Sequence, residues 1–500
     1  MATVKVCGIE TEYGILSPGP EQNPIAASSV LVNAYAADIE QNIDWDFEDE
    51  TPGNDARGFA REGSLAPMVE THLANTVLTN GARFYVDHAH PEYSSPECLT
   101  PLECVIFDKA GEEVLRRSMT AAQLRIPDQA APVVYKNNSD GKGNSYGCHE
   151  NYMMDRAVPF ARVIEGVVPH FVSRTVFCGA GKVGTETAAL DAGSVPFQLS
   201  QRAEFFEEVV GLETTLKRPI VNTRDEPHAD PKRFRRLHVI VGDANLSEIA
   251  TLLKVGTTAI VLSMVEDEAV PARDLSLADP VRALHQVSAD VGLRRPLELS
   301  DGSTATALEI QWELFGAARK YAVEHGLSSL GDDGGDDGVG ALVMEHWEAV
   351  LSALESDPAQ LADTLDWVAK QQLLEAYMAR HSCGWDDPRV AALALQYHDL
   401  REAKSVYGRL GMRRLVDMSQ VTAAVTEPPE GTRAWFRGKC LARWPEAVIT
   451  ANWDSLVFDV GTDPLRRVPM MDPLKGTAEH TGALLAQSTG PADLLERLNA

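Results

Sequence analysis

The stretch Gly8-Ile-Glu10-Thr-Glu12-Tyr-Gly14 near the start of the chain alternates acidic and larger, less polar side chains. Successive side chains of a β-strand point to opposite faces, so Glu10 and Glu12 share one face and lie roughly 7 Å apart along it. Two carboxylates on one face repel each other unless a cation lies close by. The pattern therefore predicts a strand that binds a hard cation such as Mg²⁺, with an exposed acidic edge strand as the alternative.

A second predicted strand carries a polar face of a different composition. Every second side chain of this strand points to the same side, which places Arg83, Tyr85 and Asp87 together,. Pro91 is expected to end this strand, and Glu92 to turn back toward the same face. An arginine, a phenol and two carboxylates make a poor hydrophobic core and a plausible reaction site. A purely structural face is the alternative.

Two further pairs of polar side chains fall on predicted strands. His149 shares a face with Asn151, and Arg236 shares a face with His238,. A histidine on a strand is commonly a buried, hydrogen-bonded residue, and this remains the alternative for both histidines. Arginine is suited to phosphate because its planar guanidinium can bond two oxygens at once.

Composition excludes several classes of protein. The formal net charge of −28 over 500 residues disfavours a nucleic-acid-binding protein, because phosphate contacts require a basic face,. No apolar run reaches the roughly 18 residues of a membrane span, and the first residues do not resemble a signal peptide. Seven cysteines spread along the chain do not form a disulfide framework or a zinc motif,. We expect a cytoplasmic protein with reduced thiols.

The order of predicted elements indicates an α+β fold. Residues 44–67 are rich in Asp, Glu, Gly and Pro and are expected to form a long, mobile, acidic insertion loop,. A Pro/Glu/Gly stretch divides a large domain, 1–428, from a small C-terminal domain, 429–500,. Strands are expected near 3–15, 83–87, 104–108, 133–136, 146–154 and 236–242, and helices near 25–41, 341–355, 358–382 and 388–408.

Four stretches taken together resemble one known family. They are Gly8–Ile15, Asn80–Glu97, Tyr146–Tyr152 and Arg218–Asp230, and they are similar to the Pup ligases and Pup deamidases/depupylases. That family belongs to the glutamine-synthetase-like carboxylate–amine ligases, and the resemblance covers nearly the whole chain. It implies a large domain with a curved, mostly antiparallel sheet packed by helices, followed by the small C-terminal domain.

The resemblance implies ATP and Mg²⁺ as cofactors and a role for each candidate residue. Mg²⁺ would be held by Glu10, Glu12, Tyr85, Glu92, His149 and His238; phosphates would be contacted by Arg83, Ser95 and Arg236; adenine would stack on Trp453; and Asp87 would be the catalytic carboxylate.

Two features favour the deamidase/depupylase branch of this family. The sequence Asp87-His-Ala-His-Pro-Glu-Tyr-Ser-Ser-Pro-Glu97 is similar to that branch, and the insertion at 44–67 is absent from the ligases. The resemblance implies hydrolysis of the side-chain amide at the C-terminal glutamine of Pup and of the Pup–lysine isopeptide bond.

The partners expected from this resemblance are Pup and pupylated proteins. We expect no nucleic acid, no membrane and a monomer. A Pup–protein ligase, a small-molecule glutamate–amine ligase and a catalytically inactive Pup-binding adaptor are the alternatives. Whether Asp87 attacks the carbonyl or activates a water stays open at this point.

Overall fold

The computed structural model describes residues 1–17, 23–40, 43–48, 50–60, 74–126, 130–189, 195–331 and 338–498. These residues pack into two units. Unit I comprises Val6–Val133, Asp225–Arg236 and Val416–Ala500, and unit II comprises Met1–Lys5, Val134–Arg224 and Leu237–Leu415. This grouping follows spatial packing and leaves the expected sequence boundary at residue 428 a prediction.

The described residues form both helices and mostly antiparallel strands, as expected for an α+β fold. The strands are β1 (Cys7–Glu12), β2 (Gly14–Leu16), β3 (Asp44–Trp45), β4 (Asn54–Asp55), β5 (Phe59–Ala60), β6 (Asn75–Val77), β7 (Arg83–Asp87), β8 (His90–Ser94), β9 (Val133–Tyr135), β10 (Cys148–Asp155), β11 (Lys182–Val183), β12 (Phe197–Gln198), β13 (Phe206–Gly211), β14 (Arg218–Asn222), β15 (Phe234–Val239), β16 (Leu297–Glu298), β17 (Thr304–Ala305), β18 (Val448–Ala451), β19 (Ser455–Phe458) and β20 (Arg466–Pro469). The helices are α1 (Pro24–Asp38), α2 (Pro101–Arg125), α3 (Phe160–Ser173), α4 (Thr175–Cys178), α5 (Glu248–Glu266), α6 (Pro280–Ala289), α7 (Ala307–His325), α8 (Val339–Ser356), α9 (Asp366–His381), α10 (Pro388–Tyr397), α11 (Met418–Ala424), α12 (Ala434–Arg443), α13 (Ala478–Gln487) and α14 (Pro491–Leu498).

Antiparallel strands in the order β6–β7–β8–β1 are the framework of unit I. Ile9, Thr11 and Tyr13 of the first stretch are buried, and so are Phe84 and Val86 of β7. These residues form one side of the strands and pack toward α1 and α2. The alternation predicted from sequence is therefore confirmed: the opposite side of the same strands carries the polar residues.

The strand predicted at 104–108 is wrong, because these residues lie inside α2. The Thr100 hydroxyl caps this helix by accepting the N–H of Glu103 at 3.1 Å, and Pro101 occupies its first position. Glu103 in turn accepts the N–H of Leu99 at 2.6 Å. This start signal, together with a length that lets one face be buried, outweighs the local β-propensity of the apolar run.

The segment expected to be an acidic loop is partly ordered into strands. β3 pairs in parallel with β18, and β4 pairs with β5. Trp45 of β3 is 4% exposed and belongs to a core that β18, β19 and α12 also line. Burial of this large aromatic ring explains why the start of the segment is not a loop. Residues 49 and 61–67 of the predicted loop lie outside the described residues.

Unit II surrounds α5 with other helices, and it contains β10 and the Leu237–Val239 end of β15, which are neighbouring strands. Among the residues that the structure describes, only α5 is long and apolar enough to cross a membrane, and its whole apolar window is buried inside the protein. All seven cysteines of the chain are free thiols, as the sequence predicts.

Candidate active site

The hairpin of β7 and β8 builds the polar face predicted around Asp87. Tyr85 lies opposite Glu92, and Asp87 lies opposite His90. The prediction that Pro91 ends the strand is wrong, because Pro91 lies within β8, opposite Val86. The chain reverses instead after Asp87, where the next residue has a φ of +51°. Glu92 thus reaches the polar face from a second strand.

Three carboxylates from three adjacent strands converge on this face. Glu12 of β1 lies opposite Glu92 of β8. Carboxylate oxygens of Glu12, Asp87 and Glu92 all lie within 4.8 Å of one another. Glu92 is 2% exposed, and its Oε2 has no hydrogen-bond partner among the described residues. A buried carboxylate oxygen without a donor, facing two further carboxylates, fits a hard cation such as Mg²⁺.

The same cluster perturbs the ionisation of its members. Burial, reinforced by the negative charges of Asp87, Glu12 and Glu10, raises the pKa of Glu92 well above its usual range. Burial and the charge of Glu92 likewise raise the pKa of the Tyr85 phenol. A bound divalent cation would oppose both effects, since it favours the charged form of its ligands.

A stability measurement without metal tests this electrostatic description. The folded protein holds a proton on Glu92 more tightly than the unfolded chain does. In the unfolded chain, the pKa of a glutamate is about 4.3. The contribution of Glu92 to the free energy of unfolding is therefore fully present below a pH of about 4.3. It is lost as the pH rises toward the higher pKa that Glu92 has in the folded protein. In EDTA, we expect the free energy of unfolding of the wild type to fall, relative to that of Glu92→Gln, as the pH rises from about 5 toward the higher folded pKa.

Urea denaturation of both proteins across this pH range gives the comparison. Glu207→Gln, at an exposed position, is the control and should follow the wild type. Parallel curves for the wild type and Glu92→Gln would show that Glu92 is ionised normally in the metal-free protein.

Glu10 lies beside Arg236, which the strand pattern identified, and Arg236 is bonded to Glu226, which that pattern did not identify. Arg236 Nη1 lies 3.7 Å from Glu10 Oε1, and Arg236 Nε donates to the backbone oxygen of Glu226 at 2.7 Å. The Glu226 carboxylate accepts the N–H of Thr51 at 2.5 Å. Burial and the Arg236 charge lower the pKa of nearby His228 to about 3. The charged run around Glu226 was part of the family resemblance, but no spacing rule identified Glu226 or His228 as site residues.

His149 and His238 come together in unit II. Their ring centroids are 5.0 Å apart, and His238 Nδ1 lies 3.0 Å from Asn151 Oδ1. This contact orients the imidazole ring of His238. The expected roles of both histidines as Mg²⁺ ligands stay predictions.

An aromatic cluster surrounds the candidate phosphate-binding arginine. The Arg83 guanidinium lies 3.8 Å from the ring centroid of Tyr85 and 4.2 Å from that of Trp45. Arg83 Nε donates to Asn75 at 3.2 Å. The edge of Trp45 meets Trp453, with ring centroids 5.1 Å apart. Trp45 was not predicted as a site residue, because the acidic composition around it indicated a loop.

Ser95 is bonded to backbone groups in this structure. Its hydroxyl accepts the N–H of Ile9 at 3.0 Å and donates to the carbonyl of Pro96 at 3.1 Å. A phosphate is an acceptor, so a contact with it requires the hydroxyl to turn away from Pro96. The phosphate role of Ser95 stays a prediction.

Comparison with known proteins gives full-length matches. A family profile described as Pup-ligase protein matches residues 5–457. The chain is 50% identical to the depupylase of Acidothermus cellulolyticus and 47% identical to the Pup deamidase/depupylase of Mycobacterium tuberculosis, with 99% of each chain covered in both cases. It is 40% identical to the Pup–protein ligase of Mycolicibacterium smegmatis, over 83% of this chain and 90% of that protein.

Two solved structures have a similar fold. One is the complex between the prokaryotic ubiquitin-like protein Pup and its ligase PafA, with a TM-score of 0.79, 29% identity, and coverage of 99% of this chain and 94% of the other. The second is the Pup ligase PafA in complex with ADP, with a TM-score of 0.74, 33% identity, and coverage of 84% and 92%. The glutamine-synthetase-like α+β fold expected from the sequence is confirmed.

Proposed function

This chain belongs to the Pup-ligase protein family, and we propose that it is a nucleotide- and Mg²⁺-dependent amide hydrolase. It would deamidate the C-terminal glutamine of Pup and cleave the isopeptide bond between Pup and a protein lysine. The observation that carries this proposal is Asp87, whose carboxylate lies on the polar face of the β7–β8 hairpin within 4.8 Å of Glu12 and Glu92. The higher identity to depupylases than to the Pup–protein ligase supports hydrolysis over ligation.

The donor set of this face supports Mg²⁺ as a cofactor. Glu10, Glu12, Tyr85 and Glu92 of unit I would hold the metal, and the roles of His149 and His238 as further ligands rest on the family resemblance. When bound, Mg²⁺ supplies positive charge that polarises the substrate carbonyl and stabilises a developing oxyanion. ATP is the proposed nucleotide, with Arg83, Ser95 and Arg236 at its phosphates and Trp453 at its base; a PafA ligase of similar fold has been solved with ADP.

The protein's own groups then perform the reaction at the scissile amide. Asp87 either attacks the carbonyl carbon, which gives a mixed anhydride, or removes a proton from an attacking water. The imidazole of His88 lies beside it, with Nδ1 3.0 Å from Asp87 Oδ2, and so restricts the orientation of the carboxylate. Cleavage releases ammonia from glutamine-ended Pup or the lysine amine from a conjugate, so one site serves both substrates.

A paired time course tests the function and separates it from ligation. Amide hydrolysis in water needs no coupled energy source, so the nucleotide would act as a fixed electrostatic scaffold. With glutamine-ended Pup, ATP and Mg²⁺, we expect a mass increase of Pup from amide to acid and far less than one phosphate released per Pup. Mass spectrometry and a phosphate assay follow the two products in the same samples.

The alternatives predict different results when glutamate-ended Pup with a lysine-bearing protein, or free amino acids, replace glutamine-ended Pup in these assays. A steady ratio of one phosphate per Pup, with conjugate formed from glutamate-ended Pup, would identify a Pup–protein ligase. Ligation of free amino acids without Pup would identify a small-molecule ligase, and Pup binding without product would identify an adaptor.

A further inference from the structure

A buried arginine outside the predicted site joins three separate segments of unit I. The Arg437 side chain is fully buried in α12. Its Nη1 donates to the carbonyl of Trp453 at 2.9 Å, and its Nη2 donates to the carbonyl of Gly81 at 2.8 Å. Both terminal nitrogens also bond the Glu97 carboxylate, from Nη1 to Oε1 at 3.1 Å and from Nη2 to Oε2. One guanidinium thus donates hydrogen bonds to acceptors that are far apart in the sequence.

Each of these segments leads to a residue proposed to bind the nucleotide. Gly81 comes two positions before Arg83, the first residue of β7, and Glu97 comes two positions after Ser95, which directly follows β8. Trp453 is the proposed adenine contact. The bonds of Arg437 therefore run from the strands of the phosphate contacts to the backbone of the adenine contact.

We infer that Arg437 is a positioning residue that sets the separation between the adenine end and the phosphate end of the nucleotide site. This inference rests on the proposed function. A nucleotide has a defined length, so a displacement of its base contact relative to its phosphate contacts weakens binding before it alters the chemistry. The planar guanidinium suits this role, because it holds several acceptors in a fixed geometry that a lysine ammonium cannot reproduce.

The orientation of the Trp453 ring gives independent support. The Arg437 guanidinium lies 5.1 Å from the ring centroid of Trp453, in addition to its bond with the carbonyl of the same residue. Trp45 meets this ring edge-on. The indole is thereby held through both its backbone and its ring.

The charge of Glu97 makes this junction persistent. Although burial opposes its ionisation, the guanidiniums of Arg437 and Arg433 lower the pKa of Glu97 to about 2. The carboxylate therefore remains charged at neutral pH and keeps its bonds with Arg437.

Arg433 supplies a matched control one helical turn away. Its Nε donates to Glu97 Oε1 at 2.7 Å and its Nη1 donates to the carbonyl of Met470 at 2.8 Å. Its described bonds include neither Gly81 nor Trp453. Arg433→Lys and Arg437→Lys therefore both weaken the ion pair with Glu97 by the same substitution, and only the second also removes the bonds to the carbonyls of Gly81 and Trp453.

The test is the affinity of the full-length protein for ADP, measured by calorimetry, together with the nucleotide KM and kcat of Pup deamidation. We expect Arg437→Lys to raise the ADP Kd and the nucleotide KM on the order of 10-fold, with kcat at saturating nucleotide nearly unchanged. Arg433→Lys should change these constants much less, even where both variants lose similar melting temperature.

Equal losses of ADP affinity in the two variants, or an unchanged Kd in Arg437→Lys, would overturn the inference. If Arg437→Lys does not fold, Arg437→Gln, whose side-chain amide retains two N–H donors, is measured in its place with the same expectation. A wild type that binds ADP but does not deamidate Pup would refute the proposed function alone. A wild type that deamidates Pup while Arg437→Lys binds ADP normally would refute the positioning role alone.

Discussion

Asp87→Asn is expected to lower the rate of Pup deamidation on the order of 10²–10⁴-fold while nucleotide binding is retained. Asparagine has the shape of aspartate but provides neither a nucleophilic carboxylate nor a general base. Asp87 lies at the end of β7, and the loss of its charge reduces the repulsion among the three neighbouring carboxylates. The substitution should therefore spare the fold and remove the chemistry.

The measurement is the mass of glutamine-ended Pup over time, with ADP affinity measured in parallel. Asp44→Asn, at an exposed position on β3, is the matched control and should retain full activity. Deamidation by Asp87→Asn at close to the wild-type rate would remove Asp87 from the mechanism and leave its role to another group.

Glu92→Gln is expected to lower deamidation at least about 100-fold at a fixed, low Mg²⁺ concentration. Loss of an outer-shell partner of a metal site typically reduces metal affinity or activity about 10–100-fold, and a direct ligand should matter at least as much. The buried Oε2 of Glu92 lacks a hydrogen-bond partner among the described residues, which indicates a position where a cation is needed. Replacing the carboxylate by an amide removes the charge that would attract this cation.

Titration with Mg²⁺ separates this effect from that of the catalytic carboxylate. High Mg²⁺ should restore part of the activity of Glu92→Gln and none of the activity of Asp87→Asn. In EDTA, Glu92→Gln should also be more resistant to urea than the wild type near neutral pH, because the folded wild type must keep on Glu92 a proton that the unfolded chain releases. If Glu92→Gln has normal activity with an unchanged Mg²⁺ requirement, Glu92 is not a metal ligand.

The errors of the sequence-based prediction have local causes. A proline normally disfavours a strand, yet Pro91 fits in β8 opposite Val86,. The apolar residues at 104–108 have strand propensity, but a capped helix start precedes them at Thr100. The acidic composition of 44–67 concealed Trp45, whose burial draws β3 into pairing with β18. In each case a single residue or cap outweighed the average character of its window.

The sequence by itself determined which side chains share a face. The side-chain period of a strand is a local property of the backbone. In β1 it places Glu10 and Glu12 on the face opposite the buried one. In β7 it does the same for Arg83, Tyr85 and Asp87. The stretches that resemble the Pup ligases and Pup deamidases/depupylases are likewise local, and they were sufficient to identify the family.

Only the tertiary structure decided which of these faces meet. The register that places Glu12 opposite Glu92 depends on strand pairing, and a shift by one residue would turn Glu92 away from the cluster,. The contact between Arg437 and Glu97 joins residues 340 positions apart, and Arg83 meets Trp45 only because β3 packs into the core of unit I. Such contacts arise from the free energy of burying and pairing distant segments, which no short-range pattern in the sequence contains.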